Sequence, residues 1–258
     1  MTKPKILLFD IETAPIVAYV WGLWDNNVSL NQIKKDTHLL SWSAKWLEDP
    51  DSKVMYMDQR DCKNIEDDKN LVKSLKALLD KADIVITHNG LNFDIKVVNA
   101  RLLINGLKPL MPHIHIDTYS IAKNKFRMTS NKLEYIAKIL KVNHQKLVKR
   151  KFGGQELWNE CLKGNMKAWQ EMEKYNKQDT LVLQEVYKKL RPWNKAVNMG
   201  ILADLDQCEC GSTHFHKHGY VITRSTKKQR YVCRECGKTH VGGKNLALDT
   251  MKNIMRSV

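Results

Sequence analysis

Four carboxylates, Asp10, Glu12, Asp94 and Asp179, stand where their local spacing could bring them into one site. Asp10 and Glu12 are two apart in the run Lys5 to Thr13 (KILLFDIET), so in an extended strand both side chains leave the same face. Asp94 follows the short segment Asn89-Gly90-Leu91-Asn92-Phe93 and opens a helical pattern. Asp179 lies four residues after Tyr175, one helical turn on, which puts the phenol and the carboxylate on one face. Several anionic oxygens from separate elements can hold two divalent cations roughly 3.5–4 Å apart, an arrangement that cleaves a phosphodiester by activating water and neutralising the leaving oxygen. The bland alternative makes Asp94 and Asp179 helix-surface carboxylates and Asp10 the end of a strand.

Such a site needs rigid elements behind it. Four apolar residues before Asp10 make Lys5 to Thr13 a buried strand; His38 to Trp46 and Lys53 to Met57 read as further strands, antiparallel because their connections are short. Leu71, Leu75, Leu78 and Leu79 recur at helical spacing within Asp67 to Lys81. Asp83 to Thr87 is then a buried strand ending at His88-Asn89-Gly90. Asn92 to Leu103 is a helix, and His113 to Thr118 alternates as a strand. Helices over Asn131 to Leu140, with Ser130 and Asn131 as candidate N-caps, and over Met166 to Leu190, closed by Pro192, complete the set. Three strands followed by alternating helices and strands predict an α/β fold with a mixed sheet flanked by helices. Asp117 falls between a strand and the next helix and is expected to cap rather than to bind metal. His113 and His115 lack a third partner for a metal site, and His88 is a loop histidine expected to be satisfied by backbone, with substrate contact as the alternative.

The three acidic segments resemble, in order and spacing, the three motifs of the DEDD exonuclease superfamily in its tyrosine-containing branch, which includes the proofreading domains of family B DNA polymerases. Phe9-Asp10-Ile11-Glu12-Thr13 is similar to the first motif, Asn89-x-x-x-Phe93-Asp94 to the second and Tyr175-x-x-x-Asp179 to the third. The resemblance spans roughly residues 1 to 195 and implies an RNase H-like fold with a mixed five-stranded sheet. It implies two Mg²⁺ or Mn²⁺ ions, with Asp10 bridging both and Glu12 and Asp179 completing the one on the nucleophile's side; Asp94 is the fourth metal ligand. Tyr175 would orient the attacking water, and Thr13 and Asn89 would lie near the 3′-terminal nucleotide. The remainder is too short for a polymerase domain, so the expectation is a free-standing 3′–5′ exonuclease.

Beyond a linker near Ala196 to Asp206 the composition changes, and the expected division is residues 1–195 and 196–258. Cys208-Glu209-Cys210-Gly211 and Cys233-Arg234-Glu235-Cys236-Gly237 place thiol pairs on two turns, with Tyr220 to Ile222 and Gln229 to Val232 as strands between them. That is the plan of a zinc ribbon holding one structural Zn²⁺. The first pair has one intervening residue instead of two, so His214, His216 or His218 could replace a sulfur. Six cysteines, four of them in two tight pairs, do not form a disulfide framework and suit a reducing compartment.

The 258 residues carry 43 Lys and Arg against 28 Asp and Glu, a formal charge of +15, which favours a polyanionic partner. Between Lys123 and Lys151 the only acid is Glu134, and Arg224, Lys227, Lys228, Arg230 and Arg234 give the cysteine module a second basic surface. Trp21 and Trp24 could stack on terminal bases or pack in the core, whereas Trp42, Trp46, Trp169 and Trp193 are expected to be structural. Ile6 to Phe9 is stopped by Asp10, too soon for a signal peptide or membrane span. The expected protein is cytoplasmic and binds nucleic acid, single-stranded DNA ahead of RNA, with no membrane role; no protein partner is indicated. The rival readings are an RNA exonuclease, a structure-specific endonuclease on the same fold, and a non-catalytic nucleic-acid-binding protein.

Overall fold

The structure is a computed structural model and describes residues 4–24, 26–144, 151–194 and 207–247. The linker, and Lys146, Lys149 and Arg150 of the basic stretch, lie outside the described residues. Two compact units are present, one of Lys5–Lys188 and one of Met1–Pro4 with Lys189–Val258.

The larger unit begins with β1 (Ile6–Thr13), continues through a two-stranded excursion, β2 (Val17–Ala18) and β3 (Ile33–Lys35), and returns to the sheet as β4 (Leu39–Trp46) and β5 (Met55–Asp58). There follow α1 (Lys69–Leu79), β6 (Ile84–Thr87), α2 (Asp94–Ile104), β7 (Ile114–Asp117), α3 (Thr118–Lys125), α4 (Leu133–Ile139), α5 (Glu156–Leu162) and α6 (Met166–Leu190). The main sheet has the order β5-β4-β1-β6-β7. β1 pairs antiparallel with β4 and parallel with β6, so the predicted mixed five-stranded sheet flanked by helices is what forms.

Alternation along β1 sorts the two faces. Leu7, Phe9 and Ile11 join Trp42, Ala44 and Val85 in a core closed by Leu71, Leu75 and Leu79 of α1 and Val98 and Leu102 of α2. Asp10 and Glu12 leave the opposite face. A second cluster forms from Ala14, Leu40, Leu157 and Cys161 of α5, and Trp169, Met172 and Tyr175 of α6. Buried Asp68 ties these layers together. It accepts from the Leu39 amide at 2.8 Å and takes a two-pronged hydrogen bond from Arg101, 2.7 and 2.9 Å, which holds α2 and therefore Asp94 against the sheet.

The structure departs from the sequence reading at three points. The N-cap of α4 is Lys132, with no side-chain cap; Ser130 Oγ instead accepts from the Lys132 amide at 3.3 Å. Trp193 is half exposed beyond α6, and Trp21 and Trp24 are exposed, which removes the core alternative for those two and leaves base stacking. β2, β3 and α5 were not anticipated: each is short, and none carries enough periodic apolar residues to announce itself.

The smaller unit contains β8 (Phe215–Ile222), β9 (Lys227–Cys233) and β10 (Thr239–Val241) in an antiparallel sheet of order β10-β9-β8. β10 adds a strand to the two expected.

Candidate active site and cysteine cluster

β6 ends at Thr87, paired with β1 only as far as Leu8↔Ile86. The last residues of β1 therefore run on past the end of β6, and Asp10 and Glu12 sit where the chain turns from strand into the loop before α2. Across the other edge, Asp10 lies opposite Ser43 and Glu12 opposite Ser41 on β4. α6 crosses this face. Its buried stripe, Trp169, Met172, Tyr175, Asn176, Asp179, Thr180, Leu183, Val186 and Tyr187, is apolar at both ends and polar in the middle, where it meets the serines. One carboxylate oxygen from each of Asp10, Glu12 and Asp179 lies within 4.8 Å of the other two.

Asp10 and Glu12 are held by groups outside the predicted set. Asn176, wholly buried, donates to Asp10 Oδ2 at 2.6 Å, while Ser41 Oγ donates to Asn176 Oδ1 at 3.2 Å and Ser43 Oγ to the Asn176 carbonyl at 2.7 Å. Because Asn176 can donate but carries no charge, it fixes the Asp10 carboxylate without cancelling its negative charge. Trp158 Nε1 on α5 donates to Glu12 Oε2 at 3.2 Å, and its ring meets Tyr175 edge-on with centroids 5.9 Å apart. Tyr175 is buried and shares the site-facing side of α6 with Asp179, as the four-residue spacing requires. Asn176 and Trp158 escaped the sequence reading. The signal for Asn176 was a polar residue on the apolar stripe of a long helix.

Asp94 lies outside the group of three oxygens and occupies the first turn of α2. It is 4% exposed and Asp179 is 6% exposed, so neither is the surface carboxylate of the bland alternative. Burial pushes the Asp94 carboxyl up to about 7, with the charge of Asp117 adding to the effect and the amides of Asp94 and Ile11 opposing it. A nearby cation would favour the ionised form.

The loop from β6 to α2 is set by Asp117. Its carboxylate accepts from the amides of Asn89 at 2.8 Å, Leu91 at 3.2 Å, Tyr119 at 2.9 Å and Ser120 at 3.3 Å. With that many donors, Asp117 caps α3 as expected and also anchors the loop. Asn89 takes the left-handed conformation, φ 67°, which asparagine tolerates better than most residues. Its Oδ1 accepts from Asn92 Nδ2 at 3.1 Å. Thr13 closes β1 opposite Leu39. His88 is satisfied from both ring nitrogens, by Thr118 Oγ1 and the Asn131 carbonyl, each at 2.9 Å. His115 contacts Thr87 Oγ1 and His113 the Met111 carbonyl; neither joins a metal-ligand cluster among the described residues.

Gly90 has no room for a side chain. A Cβ there would fall 2.2 Å from Thr87 Oγ1 and 2.6 Å from Thr87 Cβ, and Thr87 is itself fully buried. Gly90→Ala is expected to displace the loop and cost about 1–3 kcal/mol, read as a lowered denaturant midpoint. A midpoint equal to that of the unaltered protein would show that the loop yields freely.

In the smaller unit Cys208, Cys210, Cys233 and Cys236 form a second group with all four sulfurs within 4.8 Å. Cys208 and Cys236 are 3.4 Å apart and Cys210 and Cys233 3.6 Å. The edge of a Zn–S₄ tetrahedron is about 3.8 Å for Zn–S bonds of about 2.3 Å, so the donor set fits zinc, whereas a disulfide would need about 2.05 Å. The unusual first spacing is absorbed by a tight turn: Gly211 takes φ 88°, and its amide donates to the Cys208 carbonyl at 2.8 Å. His214, His216 and His218 are not in the group. His240, missed in the sequence, places Nε2 3.3 Å from Cys208 Sγ, where it can support the thiolate from outside.

A mixed five-stranded sheet with helices on both faces and an acidic cluster at the end of its first strand defines an RNase H-like protein. Residues 7–191 match the RNase_H_2 family, of the RNase_H superfamily, and the chain belongs to that family. It is similar to the PolC-type DNA polymerase III of Ureaplasma parvum serovar 3, 28% identical over 145 residues that cover 54% of this chain and 10% of that protein. In fold it is similar to a family B DNA polymerase of the archaeon Pyrobaculum calidifontis, with a TM-score of 0.50, 13% identity, and coverage of 78% of this chain and 27% of the polymerase. The chain thus spans only a small part of either polymerase.

Proposed function

We propose that this protein is a two-metal-ion 3′–5′ exonuclease that removes nucleoside monophosphates from the 3′ end of nucleic acid, single-stranded DNA before RNA. The observation that carries the reading is the convergence of Asp10, Glu12 and Asp179 within 4.8 Å. Three hard oxygen donors suit Mg²⁺ or Mn²⁺ rather than a softer metal. When bound, the ions supply a deprotonated water and charge neutralisation at the leaving oxygen. Asp10, its carboxylate held by Asn176, would hold the ions together with Glu12 and Asp179, and Asp94 would be a further ligand. Tyr175, packed on Trp158, orients the water, while Thr13 and Asn89 lie beside the terminal nucleotide. The similarity to a PolC-type DNA polymerase III supports an enzyme acting on DNA, and the likeness to the family B polymerase supports the fold. The four cysteines hold one structural Zn²⁺, and the basic side chains of β8 and β9 help to capture nucleic acid. Reduced thiols favour a cytoplasmic setting for the activity.

The test is digestion of matched 5′-labelled DNA and RNA oligonucleotides, single- and double-stranded, with Mg²⁺ or Mn²⁺ and with EDTA. A ladder of shortening products that keep the label, absent in EDTA, is the expected result. Release of the label as a mononucleotide, or cleavage that survives EDTA, would overturn the assignment.

A further inference from the structure

Between Thr13 and His38 the chain leaves the sheet and comes back, and the Ala14 amide donates to the His38 carbonyl at 2.9 Å to close the base of this arm. Its polar side chains brace its own backbone. Gln32 Nε2 donates to the Tyr19 carbonyl at 2.9 Å, the Tyr19 amide to the Gln32 carbonyl at 3.0 Å, and the Ser29 amide to Gln32 Oε1 at 2.9 Å. Its apolar side chains go the other way, into solvent: Trp21 is 100% exposed and Trp24 86%, with Tyr19, Leu23 and Leu30 also well exposed. This inverts the usual burial pattern, and large apolar side chains exposed together in one short segment mark a candidate binding surface.

Three observations choose the occupant. The arm directly continues the strand that carries Asp10 and Glu12, and Trp21 is eight residues beyond Thr13, so at about 3.5 Å per residue it lies less than roughly 30 Å of chain from the site. Its four charged residues, Asp25, Lys34, Lys35 and Asp36, sum to zero, so it does not repel a polyanion drawn by a chain of charge +15. Three of its exposed side chains are flat rings, and every nucleobase presents a π-face to such a ring whatever its sequence. Resting on the exonuclease reading above, we propose that Tyr19, Trp21 and Trp24 form a stacking platform for the unpaired bases of a single strand whose 3′ end enters the acidic site.

The experiment compares a dinucleotide with a single-stranded oligonucleotide of about twelve nucleotides, a length within the usual footprint of stacking sites. It uses the full chain, the Trp21→Ala/Trp24→Ala variant and the Trp21→Phe/Trp24→Phe variant. The unaltered protein should prefer the long substrate in kcat/KM, and the Ala variant should lose about tenfold of that preference through KM, with the Phe variant restoring most of it. With Ca²⁺ in place of Mg²⁺, the oligonucleotide should quench indole fluorescence in the unaltered protein. An unchanged preference, or quenching that is absent, overturns the platform. So does a shift from oligomer to monomer in the Ala variant on gel filtration, which would make the arm a self-association surface. If the unaltered protein quenches but cleaves neither substrate, the exonuclease reading fails while the platform stands.

Discussion

Asp10→Asn is expected to lower kcat by more than roughly 10³-fold, because removing even one preorganised group at a developing charge typically costs 10²–10³-fold, and Asp10 is proposed to serve both ions. The substitution is isosteric, and the amide oxygen it introduces can still accept from Asn176 Nδ2, so the lost activity would not be lost structure. Thermal unfolding separates the two cases. Without divalent cations, three carboxylates within 4.8 Å repel one another, so removing one charge should leave Tm unchanged or raise it. In the unaltered protein millimolar Mg²⁺ or Mn²⁺ should raise Tm by linkage to binding, and in Asp10→Asn that rise should shrink or vanish. Full cleavage by Asp10→Asn, or an undiminished cation-induced rise, would remove Asp10 from the site. A variant that is simply unfolded would show a low Tm with and without cations.

The parts of this site that were legible in the sequence are those fixed by local periodicity. Two-residue spacing on a strand sends Asp10 and Glu12 to one face, and four-residue spacing on a helix does the same for Tyr175 and Asp179. Asp94 was legible as the first residue of a helix after a glycine-containing loop, but its burial was not, because that depends on Asp68 and Arg101 holding α2 against the sheet from 33 residues apart. The same holds for the groups that orient the carboxylates. Ser41 and Ser43 read as ordinary small residues of a strand until the register sets them opposite Glu12 and Asp10. Trp158 lies on a seven-residue helix whose only buried members are Leu157 and Cys161, too weak a pattern to place it beside Glu12, 146 positions earlier.

The arm was legible only in part: base stacking and core packing stood as equal alternatives for Trp21 and Trp24, because neither residue carries a local mark of exposure. What distinguishes them is that Gln32 and Ser29 satisfy the arm's backbone from within, and the pairing of Gln32 with Tyr19 spans 13 positions and exists only once the chain has folded.

Removal of metal from the cysteine cluster should unfold the smaller unit and leave the larger one intact. Among the described residues from 207 onward, the buried ones are Cys208, Cys233, Lys238 and His240: two thiols, a cation paired with Glu209, and an imidazole against a thiol. No aliphatic side chain is buried there, so the hydrophobic term that stabilises the larger unit is nearly absent. With the proposed zinc bound, thiolate–metal bonds would supply that stability, about 10–16 kcal/mol in small zinc modules. Incubation with a strong zinc chelator, or Cys233→Ser, is expected to abolish amide-exchange protection in β8, β9 and β10 while β1 and α6 keep theirs, since the larger unit has two apolar clusters of its own. The unaltered protein should contain one zinc per chain. Protection of β8 to β10 that persists in the chelated protein would mean that the fold does not depend on metal and that the close approach of the four sulfurs is incidental. Loss of protection in both units together would mean that the two do not fold independently.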